Sequence, residues 1–295
     1  MNLKTTILIL LSFVIAVPAA DRDDIIKQTV VYKTINGMQL KADVYLTRDK
    51  TDEAKPAMAF FHGGGWAYGN PDEFRVACTR YARKGFVCFS FQYRLSITEE
   101  GTVPHPDISL IECVKDARSA MRWIRGHADE YHIDPDKIVA SGQSAGGQLA
   151  LATVLFHDIN EASDDLAVSP APNAFVLYSS TVNTLEAWAD LLMGDRREQI
   201  WSVSPFHNLK SGLPPTIHFH GTADRMVPYW VVTRFRDKSV ELGNHYELVT
   251  FEGRRHYLGN EDQEVKVYYD EDILRQTDDF FERMGFLEQS GSKIK

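Results

Sequence analysis

The stretch that most constrains the fold is Ser141-Gly142-Gln143-Ser144-Ala145-Gly146-Gly147, which joins the β-like run Lys137-Ile138-Val139-Ala140 to a helix-compatible run from Gln148 to Phe156. A G-x-S-x-G between a strand and a helix forces its central serine into a strained backbone conformation, and the flanking glycines leave room for the tight turn and close packing. Ser144 is therefore expected at the tip of a nucleophile elbow, with its hydroxyl facing a cleft. Upstream, His62-Gly63-Gly64-Gly65-Trp66 follows the apolar run Ala57-Met58-Ala59-Phe60-Phe61. Three consecutive glycines let backbone N–H groups face a developing negative charge. Together the two segments suggest acyl transfer.

Strand and helix patterns alternate along the rest of the chain. Gln28 to Tyr32 and Leu40 to Leu46 alternate in polarity around Asn36-Gly37, the pattern of an entry hairpin at a sheet edge. Ala57 to Phe61 and Phe86 to Phe91 flank a helix-like segment, Glu73 to Lys84, with Gly85 at the helix C-cap position. Pro106 to Tyr131 reads as one long amphipathic helix, and Ala174 to Tyr178 as a further strand. Thr181 to Pro215 is longer than an ordinary connection and carries Trp188, Leu191, Leu192, Met193, Trp201 and Phe206, which suggests a small lid. Strand Thr216 to His220, helix Trp230 to Leu242, strand Tyr246 to Phe251 and a helix through Asp272 to Met284 complete the order. The expectation is an α/β fold: a mostly parallel doubly wound sheet with helices on both faces and active residues at its carboxyl edge.

A serine nucleophile needs a base to take its proton and an acid to orient that base, and this topology supplies them in the order Ser, Asp, His. Asp224, in Gly221-Thr222-Ala223-Asp224, follows the strand Thr216 to His220, so its carboxylate falls on a loop at the strand's C-terminal end. Only His245 and His256 come later. His245 enters the next strand and belongs at the opposite end of the sheet, whereas His256 follows that strand and can reach over the edge. Oxyanion donors are expected at the backbone N–H groups of Ala145, Gly64 and Gly65. His62 precedes the glycines and reads as an anchor for their loop. Trp66 and Tyr68, with Tyr93, are candidates for the substrate pocket, although aromatic rings beside a glycine loop can equally be packing that holds it rigid.

Composition excludes several alternatives. With 44% hydrophobic and 25% charged residues in 295, the chain fits one folded domain over residues 21–295 with a sizeable core. Residues 1–20 carry Lys4, the apolar run Thr5 to Val17 and then Val17-Pro18-Ala19-Ala20, the pattern of a cleaved signal peptide and hence of a secreted or periplasmic protein without stable membrane insertion. The net charge of −9 and the lack of a basic cluster argue against nucleic-acid binding. Cys78, Cys88 and Cys113 are odd in number and widely spaced, so they form no readable disulfide framework or zinc pattern, and Cys88 reads as a core residue.

The combination of His62-Gly63-Gly64-Gly65-Trp66, Gly142-Gln143-Ser144-Ala145-Gly146-Gly147, Gly221-Thr222-Ala223-Asp224 and His256 resembles the α/β-hydrolase esterases of the hormone-sensitive-lipase-like superfamily. Within that group the HGGGW form, Ser144 to Ala150 and Tyr93-Arg94-Leu95 look most similar to bacterial carbohydrate esterases and feruloyl-esterase-like enzymes. Gln143, where the hormone-sensitive-lipase branch usually has an acidic residue, and the lack of room for a large N-terminal helical cap both favour the carbohydrate-esterase side. The resemblance implies an α/β-hydrolase fold and a serine carboxylesterase with Ser144, His256 and Asp224 as its triad. Its expected substrates are small esters or acylated polysaccharides carrying acetyl or feruloyl groups. No metal or organic cofactor is implied, because the chain supplies nucleophile, base and oxyanion donors itself. The alternatives are a prolyl-oligopeptidase-like serine peptidase, a general lipase and a non-catalytic hydrolase-fold binding protein.

Overall fold

The structure, a computed structural model, describes residues 24–48, 53–98, 101, 103–185, 188–258 and 270–289. The leader expected at residues 1–20 lies outside the described residues. No helix among the described residues is long and apolar enough to cross a membrane.

An 8-stranded sheet organises the chain, in the order β1-β2-β4-β3-β5-β6-β7-β8. The strands are β1 (Ile25–Ile35), β2 (Met38–Thr47), β3 (Lys55–Phe61), β4 (Val87–Phe91), β5 (Ile133–Gln143), β6 (Ala174–Tyr178), β7 (Thr216–Gly221) and β8 (Tyr246–Phe251). β1 and β2 form the expected edge hairpin. Its turn residues Asn36 and Gly37 both take positive φ, 49° and 81°, the combination a two-residue turn needs to match strand twist. β2 runs antiparallel to β4, and the pairs from β4 through β8 are parallel.

Side chains alternate strictly across the sheet and so build two cores. Ala57, Ala59 and Phe61 of β3, Phe89 and Phe91 of β4, and Phe175 and Leu177 of β6 point to one face. There they meet α2 (Leu110–Gly126), α4 (Ala145–Leu155) and α6 (Tyr229–Glu241). Met58, Phe60, Cys88, Val139 and Val176 point to the other face, covered by α1 (Arg75–Arg83) and α7 (Glu271–Arg283). This period of two is what a sheet buried on both faces requires. Cys78, Cys88 and Cys113 are all buried and free, and burial pushes each thiol well above its usual pKa.

The helix read over Pro106 to Tyr131 is instead two: α2 starts at Leu110, and the short α3 (Ala128–Tyr131) follows a break at His127. Ser109 explains the later start. Its side chain accepts from the Ile111 N–H, while Glu112 Oε2 accepts from the Ser109 N–H at 2.9 Å, a capping box that satisfies otherwise orphaned donors. β5 is also longer than expected and reaches Gln143, so the elbow begins directly at the strand end.

A buried ion cluster fixes the segment after β4. Asp116 of α2, with its side chain fully buried, accepts from Lys33 Nζ at 2.6 Å and from Arg94 Nε at 2.8 Å. Glu161 accepts from the same two cations at 3.0 and 2.8 Å, so two carboxylates face two cations. Groups this deeply buried are tolerated only with such pairing.

The Thr181–Pro215 insert packs into the main core through Leu192, Met193, Ile200 and Val203 and contains α5 (Ala189–Leu192). Arg196 Nη1 donates to Glu112 Oε1 at 2.8 Å and ties the insert to the start of α2. Burial alone would raise the Glu112 carboxyl, but the bonds from Arg196 and Ser109 outweigh it and hold the pKa at about 2. Because the folded-state pKa lies below the unfolded value, the unfolded chain takes up this proton first, and the contribution is complete above the usual glutamate range. Stability is expected to fall as pH drops from about 4.5 towards about 2. Denaturant melts across that range should show a shallower decline for Glu112→Gln than for wild type.

Candidate active site

Ser144 is the single residue between β5 and α4 and has φ 54° and ψ −118°. A non-glycine residue there carries strain of order ~1–3 kcal/mol, sustained only when its surroundings over-determine it. They do so here. The Ser144 N–H donates to the Tyr178 carbonyl at 3.0 Å, and its own carbonyl accepts from Gly147, Gln148 and Thr181 at 3.1, 3.2 and 3.0 Å. A Cβ on Gly142 would strike the Gly146 backbone, one on Gly146 the Phe61 carbonyl, and one on Gly147 the Ser180 hydroxyl. The glycines of the motif are therefore required by contact as well as by turn geometry.

Asp224 stands just past the end of β7. Its Oδ1 accepts the N–H groups of Met226 and Val227, both at 2.9 Å, and its Oδ2 lies 2.8 Å from His256 Nδ1. Both side chains are buried. With Oδ1 held by two backbone donors, Oδ2 is aimed at the imidazole, which presents Nδ1–H to it and leaves Nε2 as the basic nitrogen. Nε2 lies 3.1 Å from the Gln143 amide nitrogen, which in this tautomer donates to it. His220 backs the carboxylate: its Nε2 donates to the Val227 carbonyl at 2.9 Å and stands 3.4 Å from Asp224 Oδ2. Burial lowers the His220 pKa, and its Nδ1 has no hydrogen-bond partner among the described residues, so the ring is a neutral support. His245 lies at the far end of β8, paired with Glu247 on the surface, as its place in the sequence indicated.

The glycine loop bends beside the elbow. Gly64 and Gly65 take φ of 99° and 62°, and the Gly64 carbonyl accepts from Ala67 and Tyr68 at 3.1 and 2.9 Å. Side chains are excluded at both: a Cβ on Gly64 would meet the Tyr68 carbonyl, and one on Gly65 the Trp188 ring. His62 is buried, with Nδ1 2.8 Å from the Gly63 carbonyl and its ring stacked on Tyr93 at 4.2 Å between centroids. Its geometry is that of an anchor for the loop. Tyr93 departs from the expectation of a pocket residue: it does not line the cleft at Ser144. Its hydroxyl donates to the His62 carbonyl at 2.9 Å, and the ring is buried under the loop. Trp66 is also buried, and its Nε1 donates to Gln148 Oε1 at 2.9 Å.

Ser144 and His256 share a cleft of about 520 Å³ with Gly64 and Gly65, and Tyr68 stands on its rim, 56% exposed. Ala145 is buried at the first turn of α4, next to the serine, where backbone N–H groups have no intrahelical partner. Of the residues named from sequence, Ser144, His256, Gly64, Gly65 and Tyr68 line this cleft, Trp66 lines a smaller pocket that also opens on Ser144, Asp224 stands behind His256, and Tyr93 lines neither. Sequence reasoning missed Met226, Tyr257, Ile97, Val103 and Pro104, which also line the larger cleft, and the contact of Gln143 with His256. Met226 and Tyr257 sit two and one positions from Asp224 and His256, a spacing that does carry a signal.

A cleft-lining serine on a strained turn, an imidazole held in one tautomer by a buried carboxylate, and a glycine loop alongside can perform acyl transfer through a covalent serine intermediate. Fold and site together define an α/β-hydrolase esterase. The BD-FAE family model matches residues 42–238, well over half of the chain, and the chain belongs to that family. Among solved structures it is similar to esterase 2 of Thermogutta terrifontis, with a TM-score of 0.79 and 35% identity over 90% of this chain and 95% of that one. Curated relatives include a probable isoprenylcysteine alpha-carbonyl methylesterase of Arabidopsis thaliana, 28% identical over 73% of this chain and 48% of the relative. Lipase 2 of Moraxella sp. is 30% identical over 70% of this chain and 52% of its own length. The chain spans about half the length of these curated relatives.

Because a methyl group at Gly146 would drive into the Phe61 carbonyl, Gly146→Ala is expected to displace the elbow from β3. A large loss of fluorophosphonate labelling, with the far-UV spectrum of the sheet retained, is the expected outcome. Normal labelling would show that the turn tolerates a side chain there.

Proposed function

We propose that the protein is an exported serine carboxylesterase acting on short acyl or aromatic acyl esters, with acetyl and feruloyl groups on plant polysaccharides as candidate substrates. The observation that carries this reading is the 2.8 Å contact between Asp224 and His256 at the cleft that holds Ser144. The Gln143 amide gives up its bond to His256 Nε2, which then takes the Ser144 proton as Oγ attacks the ester carbonyl. The oxyanion of the tetrahedral intermediate is stabilised by the N–H groups of Ala145, Gly64 and Gly65. Collapse breaks the bond to the alcohol oxygen, which leaves with the proton from His256. Water, deprotonated by the same nitrogen, then attacks the acyl-enzyme and releases the acid and free Ser144. Asp224 stabilises the imidazolium and keeps Nδ1 protonated throughout.

A solved relative supports the reading: esterase 2 of Thermogutta terrifontis was solved phosphorylated by paraoxon and, separately, with butyrate bound. The BD-FAE match and the resemblance to carbohydrate esterases motivate the polysaccharide assignment, and the apolar leader with its small-residue exit motivates export.

Ser144→Ala should abolish hydrolysis of 4-nitrophenyl acetate while leaving the fold intact; retained turnover would sink the assignment. Asp224→Asn, which presents the wrong hydrogen-bonding pattern to His256, is expected to lower kcat by about 10⁴-fold. Acid release from acetylated xylan or from methyl ferulate, dependent on Ser144, would establish a carbohydrate-directed esterase.

A further inference from the structure

Two pockets open on Ser144, and they differ in size and in what else they touch. The larger, about 520 Å³, contains His256, Gly64 and Gly65. The smaller, about 30 Å³, lies towards Thr181, Ala189, Val227 and Val231 and touches neither His256 nor the two glycines. Trp188 and Met226 border both and form the partition. Trp188 is held there from beneath: its ring fills the space where a Gly65 side chain would stand and lies 5.5 Å from Trp66 between centroids.

The chemistry at Ser144 decides which pocket takes which half of the ester. Once Oγ is bonded to the carbonyl carbon, three other substituents need places. The oxyanion goes to the N–H groups of Gly64, Gly65 and Ala145. The alcohol oxygen must lie within reach of His256 Nε2, which protonates it as it leaves. Both of these lie on the large-pocket side, so the acyl chain turns into the small pocket. A cavity of ~150 Å³ is what benzene needs, so one of about 30 Å³ admits a methyl or ethyl group and no ring.

Resting on the esterase reading above, we infer that the protein is selective for acetyl-sized acyl groups on a bulky, ring-bearing alcohol that packs an apolar face against the large pocket, with Trp188 and Met226 setting the acyl limit. The large pocket suits that alcohol: Tyr68, Val103, Leu191, Leu192 and Tyr257 line it, and most of them are exposed at its mouth. An unpaired apolar rim of this kind around a reactive serine marks a binding surface. Aromatic alcohols and acetylated sugar rings both present such a face. The same arrangement disfavours feruloyl as the acyl group, since its ring does not fit beside Val231.

Two ester series test this without confounding leaving-group reactivity: 4-nitrophenyl acetate, butyrate and octanoate, and ethyl, benzyl and 2-naphthylmethyl acetate, with methyl ferulate and acetylated xylan as further arms. A misfit methylene in a pocket costs about 10–200-fold, so kcat/KM should fall at least about 100-fold from acetate to octanoate. Within the acetates it should rise with alcohol size, and methyl ferulate should be a poor substrate. Trp188→Ala and Met226→Ala, at exposed positions that carry little of the core, should shrink the acetate-to-octanoate ratio by about 10-fold or more. Ser144-dependent release from acetylated xylan faster than from benzyl acetate would identify the sugar ring as the source of the apolar face, and the reverse an aromatic alcohol. Equal turnover of octanoate or ferulate and acetate, or an unchanged ratio in both variants, would overturn the pocket assignment alone. Turnover that survives in Ser144→Ala would overturn the esterase reading and this inference with it.

Discussion

The structure depends on the contact between the elbow and β3. Gly146, in the first turn of α4, lies so close to the Phe61 and His62 carbonyls that no side chain fits between them, and this contact fixes where Ser144 stands relative to the glycine loop that continues from β3. An oxyanion site made of two chain segments works only if they are held within fractions of an ångström, and helix-on-strand packing is the means available. The strain at Ser144 is thus sustained by the parallel pairing of β3, β5 and β6, whose register brings Phe61 opposite Gly142 and Gln143 opposite Tyr178. Loosening that register would move both Ser144 and the Gly64–Gly65 loop.

Asp224 and His256 depend on a second strand end. β7 delivers Gly221 and Asp224, and the loop after β8 folds back so closely that a Gly221 Cβ would meet the Arg254 carbonyl. The Ala223 N–H donates to that same carbonyl at 3.0 Å. The loop carrying His256 is therefore pinned to the loop carrying Asp224 two residues before His256, and the side-chain bond between them closes an already short gap. The neutral His220 beneath adds support without introducing a competing positive charge beside Asp224.

Much of this was legible in the sequence because it follows from local rules. Glycine spacing around Ser144, the order of Ser, Asp and His, and the period of two in β3, β4 and β6 are each set within a few residues. What was not legible came from tertiary contact. Sequence names Tyr93 as a pocket candidate, and only the packing shows its ring against His62 with its hydroxyl on a carbonyl. The break of the 106–131 helix pattern at His127 was hidden because the apolar spacing runs through it; the Ser109–Glu112 box, though written in the sequence, was overridden by that same periodicity. The apolar wall of Ile97, Val103 and Pro104 joins the site only through folding, which sets a bridge between Ile97 and Pro104 beside the same cleft as Tyr68.

The frame that positions the reactive groups and the surface that receives substrate are built from different kinds of structure. Strand ends and glycine contacts hold Ser144, Asp224 and His256, and a change at any of them disturbs all three. Trp188, Leu191 and Leu192 come from the insert, which is tied down at a distance by Arg196 on Glu112 and by Gln148 on the Val203 carbonyl. Gln148 also receives the Trp66 indole, so one buried amide couples the glycine loop to the insert wall. Because that coupling is buried while Trp188 and Leu191 are exposed, the shape of the cleft can change through side chains such as Trp188 while the spacing of the reactive groups stays fixed. A hydrolase fold with such an insert can therefore vary its substrate without rebuilding its chemistry.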